Sequence, residues 1–116
     1  MTESSGVFTF PSTGIYYVSF TANFQLDGDS RFNYGLIKGT TDGSTLITLT
    51  EASTSITQSQ SAATLASVSS DIIIDVTNTS NHKVAFEINV SSSSTQVTCS
   101  GVRDITFVRF IRLGDT

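Results

Sequence analysis

From Ile15 to Phe24, Tyr16, Val18, Phe20, Ala22 and Phe24 occupy every second position, with Ser19, Thr21 and Asn23 between them. Successive strand side chains point to opposite faces of a sheet, so this stretch makes one apolar face and one hydroxyl-rich face. Lys83–Val90 repeats the pattern and points Val84, Phe86, Ile88 and Val90 inward. Ala52–Ala66 contains helix-tolerant residues, but no apolar stripe of period 3.6 runs through it or through any other segment. The alternation therefore commits the chain to β structure.

The remaining segments fit that reading. Val7–Phe10, Arg31–Lys38, Thr45–Glu51, Thr95–Ser100 and Ile105–Leu113 read as strands, and Ser61–Val68 as a weak edge strand. Asp71–Thr77 contains Ile72, Ile73 and Ile74 in a row and reads as a short strand buried on both faces. Turn signals separate them: Pro11–Gly14, Asp27-Gly28-Asp29, Asp42-Gly43 and Asn78–Asn81. Ala52–Gln60 is expected as a polar surface loop and Ser91–Ser94 as a flexible run. On the last strand Phe107, Ile111 and Leu113 face one way with Arg109, and Val108 and Phe110 the other way with Arg112. Short strands with turn signals every eight to twelve residues or so imply a sandwich or barrel.

A chain of 116 residues makes one domain, residues 1–116, with a core of limited reserve, so assembly would add stability. Met1–Gly6 is polar and is no signal peptide, and a strand follows so soon that a module of a longer protein is expected. The formal net charge is −4 with six Lys and Arg in all, and no basic stripe is present, which argues against a nucleic-acid partner. No apolar run approaches the roughly 20 residues of a membrane-spanning helix, so no membrane insertion is expected. One cysteine, Cys99, excludes an intrachain disulfide, and a free thiol of this kind is expected buried or half-buried. About a third of the residues are Ser or Thr, which suits strands with hydroxyl-rich outer faces.

Few residues suggest chemistry. His82, the only histidine, sits in a turn without an identifiable partner for general-base work, so neither an enzyme nor a cofactor is expected. Asp27 and Asp29 could supply oxygen ligands to calcium, although the same residues make an ordinary turn. Asn78-Thr79-Ser80 and Asn89-Val90-Ser91 match the glycosylation acceptor pattern, which arises easily in a hydroxyl-rich chain. Arg109 and Arg112 are charges on a largely apolar strand; they either reach the sheet margin or pair across subunits, for example with Glu87 or Asp104.

Phe8, Thr9, Pro11, Gly14, Tyr16 and Phe20, within Gly6–Phe20, resemble the first conserved block of the complement component 1q and tumour-necrosis-factor-like superfamily, with Val18 where that block has an aromatic residue. The ending Ile105–Leu113 is similar in placement and pattern to the family's last buried strand, and FVRFIRLGDT looks most like the modules on bacteriophage tail fibres and virion appendages. The resemblance implies a two-sheet antiparallel jelly roll of ten strands, packed as a homotrimer through its inner sheet. Phe32, Tyr34, Phe86, Phe107 and Phe110 are the trimer-interface candidates carried over from it. It further implies a non-enzymatic structural and recognition module of a virion (tail fibre, knob or capsid decoration). Its partners would be other virion proteins and a host-surface glycan or protein, met by apical loops at Asp27, Asp29, Arg31 and Asp42, with Ser91–Ser94. A secreted complement- or cytokine-like recognition domain is the alternative, and a hydrolase on a jelly roll a distant third. The chain departs from the family in two ways: almost nothing precedes the first block, where the family has a strand, and there is no collagen-like repeat.

Overall fold

The computed structural model describes all 116 residues, Met1–Thr116. It is all-β, with nine strands: β1 (Thr2–Ser4), β2 (Val7–Thr9), β3 (Gly14–Leu26), β4 (Ser30–Thr40), β5 (Ile47–Ile56), β6 (Thr64–Val76), β7 (Lys83–Val90), β8 (Gln96–Val97) and β9 (Phe107–Gly114). One sheet has the order β1-β2-β7-β4-β5. The other centres on β3, with β6 on one side and β8 and then β9 along the other. Every pairing is antiparallel. The pairings are also nested: β4 with β5, outside that β3 with β6, and outside that β2 with β7.

β3 turns its alternation directly into layers. Its even-numbered residues from Gly14 to Leu26 are buried without exception, and the odd-numbered ones between them are half-buried. Between the sheets these side chains meet Ile37 of β4, Ile56 of β5, Val68 and Val76 of β6 and Val84 of β7. Phe8, Phe10, Tyr16, Phe20, Phe86 and Phe110 interlock beside them with ring centroids 4.6–6.1 Å apart. Most of these pairs are tilted or edge-on, the arrangement favoured by the aromatic quadrupole. The polar tip of Tyr16 is satisfied at the margin, where its hydroxyl donates to the Ser12 carbonyl oxygen at 3.0 Å. Gly35 of β4 also faces this interior; a Cβ there would stand 2.8 Å from Val68 Cγ2, so the bare backbone sets the close approach of the two sheets.

Several sequence expectations change. The polar N-terminus forms β1, because Ser5 and Gly6 both take positive φ (53° and 79°) and make a two-residue hairpin turn onto β2. Half of the expected loop Ala52–Gln60 belongs to β5, where Ala52, Thr54 and Ile56 face inward opposite β4. The two strands expected at Ser61–Val68 and Asp71–Thr77 are one strand, β6, paired with β3 without a break over thirteen residues. The polar Ser69-Ser70-Asp71 does not interrupt it, because Ser70 fits the buried face and Ser69 and Asp71 the exposed one. A consequence is that the triple isoleucine is not buried on both faces: Ile72 and Ile74 turn inward, whereas Ile73 is 63% exposed.

Candidate functional site

The outer face of the β6–β3–β9 sheet is built in rows that cross the strands. Strand register places Ile73, Tyr17 and Ile111 in one row, Asp71, Ser19 and Arg109 in the next, and Ser69, Thr21 and Phe107 in a third. Ile15 and Leu113 flank the first row at the end where β9 finishes. Ile73, Ile111 and Leu113 are exposed, the last two at 48% and 56%. Side chains of this kind lose favourable burial when left in water, about 25 cal/mol per Å². One here is unremarkable; a row with an aromatic ring between two isoleucines is the candidate site.

The polar groups on this face are partly committed. The Tyr17 hydroxyl donates to Asp71 Oδ2 at 3.0 Å, and this hydrogen bond, followed by a smaller desolvation effect, raises the tyrosine pKa above its ordinary value. Thr21 and Ser69 hydroxyls pair across the strands at 3.0 Å. The Arg109 guanidinium lies 4.4 Å from the centre of the Phe107 ring and reaches Asp104 Oδ2 at 3.4 Å, with both charged side chains largely exposed. Asp71 has no cation within ion-pair distance in its own chain.

The outer face of the five-stranded sheet is different. Tyr34, Leu36 and Lys38 of β4 lie between Glu51 and Ser53 of β5 and Ala85, Glu87 and Asn89 of β7. Lys38 Nζ donates to Glu87 Oε2 at 2.9 Å, and this bond holds the Glu87 carboxyl below its usual pKa. Leu36, in the middle of this face, is already shielded, at 6% exposure.

These geometries redistribute the interface candidates. Phe86 and Phe110 pack on each other between the sheets, 5.8 Å apart, and are core residues. Phe107 stands on the outer face of the β3 sheet, whereas Phe32 and Tyr34, 5.3 Å apart, belong to β4 of the other sheet. The five therefore do not form one surface. Ile73, Tyr17 and Ile111, which do share one, went unnoticed in the sequence as a group; the signal available was the period-two phase of β3 and β9, which puts Tyr17 and Ile111 outside.

The loop candidates divide as well. Asp27, Asp29 and Arg31 lie at the start of β4, and Asp42 beyond its far end, about 35 Å away along eleven residues. Asp29 Oδ1 accepts the backbone N–H of Gln58 at 2.6 Å and Asp27 accepts its side-chain amide, so both carboxylates brace the β5–β6 loop. Asp42 Oδ1 accepts the Thr40 hydroxyl at 2.7 Å and the N–H groups of Ser44 and Thr45 at 2.9 and 2.7 Å. Those donors, the Thr40 hydroxyl first, push its pKa far below the carboxylate range, as expected of an anion holding a turn together.

Within one chain Glu87 lies on the other sheet, paired with Lys38, and Arg109 reaches Asp104. Arg112 instead donates to the Thr13 carbonyl oxygen and to Asp115 Oδ1 at the sheet margin. Cys99 is exposed rather than buried, because Cys99–Ile105 forms no regular strand and the segment is stitched to β3 only by its ends: Thr98 N–H donates to the Asn23 carbonyl oxygen and Asn23 N–H to Thr106 Oγ1.

A pocket of about 260 Å³ opens between the free sides of β5 and β6, lined by Ile47, Leu49, Ile72, Ile74, His82 and Lys83 among others. His82 Nδ1 lies 3.0 Å from the Asn78 carbonyl oxygen, and no hydroxyl or carboxylate bonds the ring, so no nucleophile–base pair is assembled there.

No protein-family model and no curated protein matches the chain.

Proposed function

We propose that the protein is a non-enzymatic assembly and recognition module that works as a homotrimer, with the outer face of the β6–β3–β9 sheet buried between copies. The observation that carries this is the row Ile73–Tyr17–Ile111, whose two isoleucines are exposed, while the middle of the other sheet's outer face is covered by an ion pair and a shielded Leu36, and the exposed Phe32 lies beside Tyr34 toward the start of β4. Burying such a row between copies would shield apolar surface that a domain of this size cannot cover alone.

The strand order supports the finer reading of the fold as a jelly roll. Nested pairs β4–β5, β3–β6 and β2–β7 are what results when a long antiparallel hairpin is rolled into two sheets, and two-sheet rolls of this kind protect most strand edges by pairing. That reading agrees with the resemblance carried by Phe8, Thr9, Pro11, Gly14, Tyr16 and Phe20; Gly14, Tyr16 and Phe20 lie on β3, beside the last conserved segment on β9, in the sheet with the apolar outer row, and Phe8 and Thr9 on β2 of the other sheet. Placement on a virion appendage, with other virion proteins and a host-surface glycan or protein as partners, follows from the resemblance alone. In such a setting recognition falls to the loop ends, where repetition over three copies raises avidity without new contacts.

The test is the mass in solution, by light scattering on the purified chain. About three times the 12.4 kDa subunit mass is expected. A monomer at micromolar concentration would overturn the proposal.

A further inference from the structure

The middle row of the exposed face is charged in a directional way. Across the central residue Ser19, β6 carries the acid Asp71 and β9 carries the base Arg109. Neighbouring strands lie about 4.8 Å apart, so the two backbones are about 10 Å from each other. Within one chain they do not pair; Asp71 accepts the Tyr17 hydroxyl and has no cation in reach, and Arg109 has the Phe107 ring and the exposed Asp104 at 3.4 Å. A face that is to be buried cannot leave either charge without a partner, because a desolvated unpaired charge costs several kcal/mol.

From this we infer that Asp71 of one copy pairs with Arg109 of the next, and that the pair fixes how copies are oriented. The inference rests on the reading of this face as the contact between copies. The symmetry axis can run along the strands of this face or across them. When the symmetry axis runs parallel to the strands, the β9 side of one copy meets the β6 side of its neighbour, and Arg109 faces Asp71. When the axis runs across the strands, like sides meet: Asp71 faces Asp71 and Arg109 faces Arg109, a repulsion of several kcal/mol.

The apolar row discriminates in the same direction, independently of charge. With the axis parallel to the strands, rows meet at equal height, so Ile111 meets Ile73 of the next copy and Tyr17 meets Tyr17. With a crossed axis through the charged row, they meet the row of Ser69, Thr21 and Phe107 instead, pairing isoleucines with hydroxyls. Both observations select the axis parallel to the strands. The acid and the base are then used once each by every copy, head to tail, which is the contact that closes into a ring. Every copy presents its Asp27-Gly28-Asp29 end in the same direction.

A charge exchange tests this. Light scattering over a dilution series would be run on the wild type, D71R, R109D and the D71R/R109D double variant, with circular dichroism verifying the fold of each. Each single exchange should raise the dissociation constant of the assembly at least about tenfold. The double exchange should bring it back to within about threefold of wild type. If a reversed charge prevents folding, D71N, R109Q and their double form the equivalent cycle, in which the double should again assemble better than the sum of the singles predicts. Single variants that assemble like wild type, or a double that assembles worse than either single, would overturn the pairing while leaving the face itself in place. A monomeric wild type would overturn both.

Discussion

The two sheets share one core and differ on their outer faces. On the five-stranded sheet the middle of the outer face is closed over: Lys38 and Glu87 pair, and Leu36 is shielded. On the β3 sheet the corresponding region leaves Ile73, Ile111 and Leu113 in solvent beside Tyr17. The inner faces cannot account for this difference, since both are apolar. Stability therefore belongs to the space between the sheets, and one outside surface is left with a row of isoleucines in solvent.

The comparison can be broken most forcefully on β3 itself, because that strand contributes to both. Phe24 is fully buried on its inner side, and F24A should cost about 3–5 kcal/mol of unfolding free energy, read by chemical denaturation. A loss below about 1 kcal/mol would mean that the core described here is not the one that forms. On the outer side of the same sheet, I73S combined with I111S should change the monomer's stability by only about 0.5 kcal/mol per site while shifting the solution mass to that of one subunit. Y34S on the other sheet should leave the mass unchanged. If Y34S dissociated the assembly and the isoleucine pair did not, the interface would move to the five-stranded sheet.

The smallest effect concerns the ion pair that closes that second face. With both side chains partly open to solvent, E87Q should cost less than about 1 kcal/mol. Its pH dependence has a defined sign. The Lys38 hydrogen bond lowers the Glu87 pKa in the folded chain, so the contribution is complete above the ordinary glutamate value and disappears as pH falls through the depressed one. Thermal melts of wild type and E87Q should therefore converge toward low pH; a gap that widened on acidification would contradict the assignment.

How much of this the sequence made legible depended on phase. β3 and β7 were readable because apolar and polar residues alternate strictly along them, and the ladder follows that alternation. Ile72-Ile73-Ile74 was unreadable because three identical residues carry no phase; only pairing with Val18, Tyr17 and Tyr16 decides that the middle one is outside. Ser69-Ser70-Asp71 looked like a break because polarity alone does not distinguish a turn from the solvent side of a strand. Phe86 was legible as inward and Phe110 as one-sided, but whether either side meets the second sheet or another copy requires the second sheet. For Asp42, an aspartate before glycine announced a turn, and the turn formed; that it lies at the opposite end from Asp27 follows only from the length of β4.

The central position of β3 has a consequence for synthesis. Its contacts to β6 include the Tyr17–Asp71 bond, spanning 54 residues, and its pairing with β9 joins Tyr17 to Ile111, 94 residues later. At about 5–20 residues per second, a ribosome takes about 5–20 s to add that last stretch. During that interval the most apolar strand of the chain has a free edge, while many copies are being made. Ser19 and Thr21 then keep part of its outer side polar, whereas Ile15 and Tyr17 leave the rest apolar, and the unpaired backbone of that edge waits for β9.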